Sequence, residues 1–190
     1  MKIENLLKIV EVLGTDIFTG YNINQASRLS KIDVATTFRT LKEMEKKGET
    51  LKEKKGNNIF YRLNLKNASA LKYCELAAIE KRKAFLLENP EIFIKISKLK
   101  GLADAIILLG SFARGEKKPR DIDVLLLSVR KPEVKRIEDM KDMRISPIYM
   151  RFGEFKEKLK TKDRVVREII KDGIVLWGES IYWELIRDAL

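Results

Sequence analysis

Two apolar runs, Ala105–Leu109 (AIILL) and Ile122–Leu127 (IDVLLL), constrain this chain most. Each is suited to a buried strand. Between them Gly110-Ser111 breaks the first run, Phe112–Gly115 opens a helical turn, and a basic loop leads to Asp121-Ile122-Asp123. Residues two apart on a strand share a face, so Asp121 and Asp123 point the same way. Two carboxylates on one face suit a hard divalent cation such as Mg²⁺. Backbone amides and a hydroxyl at the Gly-Ser turn suit a phosphate oxygen. Two acids entering a buried strand are costly unless paired or metal-bound.

Gly-Ser, nine residues, then Asp-x-Asp inside an apolar strand resembles the signature of the nucleotidyltransferase superfamily that includes DNA polymerase beta. GSFARG is similar to the wording of its minimal, single-domain members. DGIVLWG (Asp172–Gly178), a helix end followed by a short apolar strand, looks like that family's closing segment. The resemblance implies that Gly110, Ser111 and their neighbouring amides, with Arg114, bind the terminal phosphates of an NTP. It implies that Asp121 and Asp123 are the catalytic, Mg²⁺-holding carboxylates. Charge alone suggests Lys117, Lys118 and Arg120 as further triphosphate contacts; a solvated basic loop explains them equally well.

The sequence departs from that family in two places. Active members usually add a third carboxylate from a later strand, and the matching stretch, Arg144–Phe152 (RISPIYMRF), contains none. Asp139, Asp142 and Glu154 only flank it. Arg120 stands where Ser or Thr often precedes the first Asp. The resemblance therefore implies a nucleotide and metal site and leaves turnover open. Members of the minimal group also act as antitoxins that modify a partner protein, so a partner protein is one candidate acceptor.

The amino-terminal third follows a different pattern. Ile3, Leu6, Leu7, Val10 and Leu13 recur at helical spacing, with Gly14 as a stop. Asn24 is a candidate cap for a short helix burying Ala26 and Leu29. Asp33 is a candidate cap for a longer one with Phe38, Leu41 and Met44 on one face, ended by Gly48. Thr50–Lys54 and Ile59–Leu63 read as strands joined by the turn Lys55-Gly56-Asn57-Asn58. The stretch TTFRTLKEMEKKG resembles the recognition helix of winged-helix transcription regulators, although Glu49 stands where they usually carry an apolar residue. That resemblance implies double-stranded DNA as a partner. Thr36, Thr37, Arg39 and Thr40 would lie toward the major groove, and Lys54, Lys55 and Asn57 at the wing tip would touch phosphate or minor groove. The segment 1–66 holds 13 Lys+Arg against 8 Asp+Glu, a surplus of five. A winged helix that mediates protein contacts is the plainer alternative.

Residues 67–88 are continuously helical in character, and Asn89-Pro90 breaks them. This segment reads as a connector and a candidate homodimer contact, followed by a helix around Glu91–Leu99. Gly153–Lys171 is amphipathic through Phe155, Leu159, Val165, Val166, Ile169 and Ile170. Trp177, Tyr182 and Trp183 sit among apolar residues and are expected to pack rather than stack on bases.

The expectation is an α/β (α+β) chain of two domains. A winged helix-turn-helix spans 1–66, a helical connector 67–100, and a nucleotidyltransferase-like mixed sheet with flanking helices 101–190. Across 190 residues the formal charge is +11 with pI near 9.6, which favours polyanions over acidic partners. The lack of histidine, one glutamine (Gln25) and the Lys/Glu-rich surface also suit a thermophile. Cys74 stands alone, so no internal disulfide or Cys/His zinc site is available. MKIENLLKIV is too charged for a signal peptide and no run approaches spanning length, so a cytoplasmic location without membrane contact is expected.

Overall fold

The computed structural model describes residues 2–116, 121–129 and 144–190. It is a mixed α/β structure with two small sheets, divided into two compact units, Met1–Ala77 and Ala78–Leu190.

In the first unit, α1 (Ile3–Gly14) buries Leu6, Val10 and Leu13 as their spacing predicts, together with Ile9. Ile3 is exposed and Leu7 half-buried, because the packed face runs through Ile9 instead. The short helix α2 (Ile23–Ser30) begins two residues earlier than expected. Asn22, not Asn24, caps it: Asn22 Oδ1 accepts from the Gln25 amide (2.9 Å), and Gln25 Oε1 accepts from the Asn22 amide (3.0 Å). This reciprocal pair is a capping box. Ala26 is buried as expected, but the packed face runs through Ser27 and Ser30, so Leu29 is exposed.

Asp33 caps α3 (Val34–Lys46) as expected, its Oδ1 accepting from the Thr36 amide at 2.8 Å. The buried stripe is Thr37, Thr40, Leu41 and Met44, one face at 3.6 residues per turn. Phe38 lies outside that stripe and is exposed, correcting the expectation that it joins the core. Strands β2 (Thr50–Lys55) and β3 (Asn58–Leu63) form the hairpin, paired from Thr50↔Leu63 to Lys55↔Asn58. A two-residue strand, β1 (Tyr21–Asn22), adds to the other side of β3 through Tyr21↔Tyr61, giving the order β1-β3-β2.

Helix α4 (Ala68–Glu88) covers the segment expected as a connector. Its first half belongs to the first unit, where Cys74 is buried, and its second half to the other. Within the second unit Arg82 bonds to the Leu176 carbonyl and the Glu179 carboxylate, and Lys81 Nζ donates to the Gly173 carbonyl (3.0 Å). Pro90 opens α5 (Pro90–Ser97), where its missing N–H costs nothing.

The second sheet is built from β4 (Ala105–Leu108), β5 (Ile122–Leu127), β6 (Ile145–Met150) and β7 (Ile174–Trp177), in the order β6-β5-β4-β7. β4 pairs antiparallel with β5 and β7, whereas β6 runs parallel to β5. Every residue of β4 is buried, and so are all those of β5 except Asp123. Ile106, Leu108, Val124 and Leu126 share a core with Ile92 and Ile96 of α5 and Ile174 and Leu176 of β7.

The amphipathic segment expected over 153–171 is two helices, α7 (Phe152–Lys160) and α8 (Arg164–Asp172), after the short α6 (Gly110–Ala113). Lys162 turns the chain at φ +54°, and Asp163 Oδ1 caps the second helix on the Val165 amide (2.9 Å). Val165 falls outside the buried stripe of Val166, Ile169 and Ile170. The last helix, α9 (Glu179–Ala189), buries Tyr182 and Trp183. The Tyr182 ring lies 6.0 Å from that of Phe155 and edge-on to Trp183, so both are packing residues, as expected.

Candidate functional site

The Gly-Ser turn and the Asp-x-Asp strand meet where β4 ends beside the start of β5. The Leu109 amide donates to the Asp123 carbonyl (2.8 Å), which fixes the turn against the strand. Gly110 follows with φ +65°, a conformation that suits glycine. A Cβ there would overlap Asp123 Oδ2 and lie 3.0 Å from its Cγ. The Asp123 carboxylate therefore lies directly over the Gly110 backbone, in space that any side chain at 110 would fill. Asp121, one residue before β5, is exposed.

Ser111 and Arg114 face an acid that the sequence pattern did not reveal. Arg114 Nε donates to Glu116 Oε1 at 2.6 Å. Bonds from Arg114 first and Ser111 second hold the Glu116 carboxyl below its ordinary value. The Glu116 amide also donates to the Ser111 carbonyl (2.9 Å). A carboxylate thus engages the two side chains expected to meet phosphate. Lys117, Lys118 and Arg120 lie outside the described residues, as do Asp139 and Asp142.

The neighbouring strand supplies a hydroxyl rather than an acid. β6 pairs with β5 in the register Ile122↔Ile145, Asp123↔Ser146 and Val124↔Pro147. Ser146, on an exposed stretch of β6, is the residue beside Asp123. Glu154 is exposed in the first turn of α7, paired with Lys158 at 4.0 Å. Among the described residues no three or more acids, cysteines or histidines cluster to hold a metal. Asp121 and Asp123 remain, Asp123 against Gly110 and Asp121 exposed just before β5. Two carboxylates would suit an Mg²⁺ that keeps several waters and takes further ligands from phosphate.

No family model, curated protein or solved structure matches the chain.

In the first unit, the residues expected to face DNA divide into two groups. Thr36 and Arg39 are on the outward side of α3. The Arg39 guanidinium folds along the helix, Nε donating to the Ala35 carbonyl (3.3 Å) and Nη2 to Thr36 Oγ1 (3.4 Å). Thr37 and Thr40 instead sit on the buried stripe with Leu41 and Met44, and Thr37 Oγ1 donates to the Ile32 carbonyl (3.4 Å). Their expected place toward a groove is thereby corrected: helical phase turns them into the core.

Lys54, Lys55 and Asn57 are exposed at the hairpin tip. Lys55 pairs with Glu53 (3.3 Å) and lies 5.6 Å from the Phe60 ring centre. A polar groove of about 470 Å³ is lined by Lys2, Asn5, Thr36, Arg39, Thr40 and Glu43. A second cleft of about 590 Å³, more apolar, runs between the start of α3 and the hairpin tip, with Val34, Phe38 and Ile59 in its walls. Helical spacing with Leu41 and Met44 points Phe38 to the core, so the sequence alone carries no sign of this cleft.

Glu49, singled out as a departure, is buried one residue before β2, only 3% exposed, and its Oε2 has no hydrogen-bond partner. Burial pushes its carboxyl above the ordinary value; Lys47 opposes this and Glu43 adds to it. No helix among the described residues is long and apolar enough to cross a membrane.

Proposed function

We propose that the second unit binds an NTP with Mg²⁺ and acts as a nucleotidyltransferase, and that the first is a winged helix that binds duplex DNA. The observation carrying the first half is the packing of the Asp123 carboxylate onto Gly110, which brings an acid and the Gly-Ser turn into one small volume. The bare Gly110 backbone admits the Asp123 carboxylate beside the turn, and a carboxylate there suits the cation that accompanies phosphate.

In this reading Asp121 and Asp123 hold Mg²⁺, which when bound offsets charge on the triphosphate. The Ser111 hydroxyl and Arg114 guanidinium move from Glu116 to phosphate oxygens, an exchange of one anion for another. An acceptor hydroxyl attacks the α-phosphorus and its proton passes to solvent, the bond to the α–β bridging oxygen breaks, and pyrophosphate leaves while NMP joins the acceptor. The helix order, the cap at Asp33 and the hairpin after α3 support the DNA-binding half. A cytoplasmic location accords with such partners.

Ser146 favours a second reading. With a hydroxyl beside Asp123, the described strands supply no third acid to receive the acceptor's proton. A regulator that senses nucleotide without turnover would need only the two carboxylates and the turn.

Incubating the full chain with Mg²⁺ and each α-labelled NTP, alone and with cell extract, tests both. Label transferred by wild type and not by Asp121→Asn/Asp123→Asn supports the transferase and reveals whether the acceptor is protein or nucleic acid. A nucleotide-induced thermal shift lost in that variant, without transfer, supports the sensor.

A further inference from the structure

The first half of α3 presents a strip that the DNA-binding reading leaves unexplained. Val34 is 49% exposed, Phe38 is 45% exposed, and Ala35 lies exposed between them. Ile59, at the start of β3, continues the strip across the cleft. A helix in a globular unit ordinarily turns such residues inward; here threonines take the inward places and the apolar residues face out.

The elements framing this strip are basic. Arg28 and Lys31 are exposed at the end of α2, Arg39 on α3, and Lys54 and Lys55 at the hairpin tip. The two nearby acids are both engaged: Asp33 caps α3 and Glu53 pairs with Lys55. An apolar strip inside a cationic frame is complementary to a polyanion that carries apolar groups on its readable edge. In duplex DNA that group is the thymine 5-methyl, the one apolar feature of the major groove. The strip offers no acid to accept from cytosine N4. The Arg39 guanidinium folds back along its own helix.

We propose that Val34, Ala35 and Phe38 read thymine methyl groups, so that the duplex this chain prefers is defined by thymines at the positions under α3. The proposal rests on the reading of the first unit as a duplex-DNA binder.

Duplexes selected from a random pool by the full chain would be resynthesised with deoxyuridine at single thymines, which removes only the methyl. Wild type is expected to lose about fourfold in affinity for each contacted methyl. Phe38→Ala and Val34→Ser, checked by thermal melting, are expected to bind the thymine duplex more weakly and to lose the distinction between thymine and uracil.

Tight binding with no thymine–uracil difference in wild type overturns the proposal and leaves DNA binding intact. A difference that persists unchanged in both variants places the methyl contact elsewhere and also overturns it. A chain that binds no duplex at all overturns the DNA-binding reading beneath it and leaves the strip to a protein partner.

Discussion

Gly110 is the position where the smallest change should have the largest effect. Alanine there would hold φ +65° against its preference and press a methyl into the Asp123 carboxylate. Gly110→Ala is expected to destabilise the chain by about 2 kcal/mol or more, read from urea unfolding, and to abolish any Mg²⁺-dependent thermal shift with NTP. Glu49 predicts the opposite sign. Its raised folded-state value means that its ionisation works against folding. Stability is therefore retained below its ordinary value of 4.5 and falls as pH rises through the folded value. Glu49→Gln should match wild type at pH 4 and exceed it by about 1 kcal/mol at pH 7.5, measured by urea melts at both pH values. At this scale the Gly-Ser and Asp-x-Asp residues were legible because local spacing sets what a turn and a strand can do. Thr37, Phe38 and Glu116 were not. The first two depend on which face of α3 meets the core, and Glu116 on which carboxylate reaches Ser111 and Arg114.

Elements with strong local signals agree with expectation, while those decided by their neighbours differ. β5 covers Ile122–Leu127 as read from its apolar run, and Asp33 begins α3 as read from its cap. β1, two residues long, has no periodicity to detect and exists because Tyr21 finds Tyr61 across the sheet. The start of α2 shifted because two amide side chains compete for the cap, and only Asn22 has Gln25 three residues on to complete the box. Asn22→Ala is accordingly expected to cost about 1 kcal/mol, read from thermal or urea denaturation, and Asn24→Ala very little. In the second sheet Ile106 is fully buried in the core that holds β4 to β5 and α5. Ile106→Ala should cost about 2–5 kcal/mol in the same measurement, the cost of a cavity in a packed strand layer.

For the molecule as a whole, the charge of +11 implies strong salt dependence in any contact with nucleic acid. If Lys54 and Lys55 touch phosphate, replacing both with alanine should reduce the slope of log affinity against log salt by about 2, whatever the duplex sequence. Titrations at several salt concentrations check this directly. The lone cysteine has a practical meaning at this scale. Cys74 is fully buried, and burial raises its thiol well above its ordinary value, so little thiolate exists at neutral pH. A maleimide dye would pass it by without unfolding. One new cysteine at Asn57, on the exposed hairpin tip, would then carry a fluorophore at a single known place, with no background to engineer away.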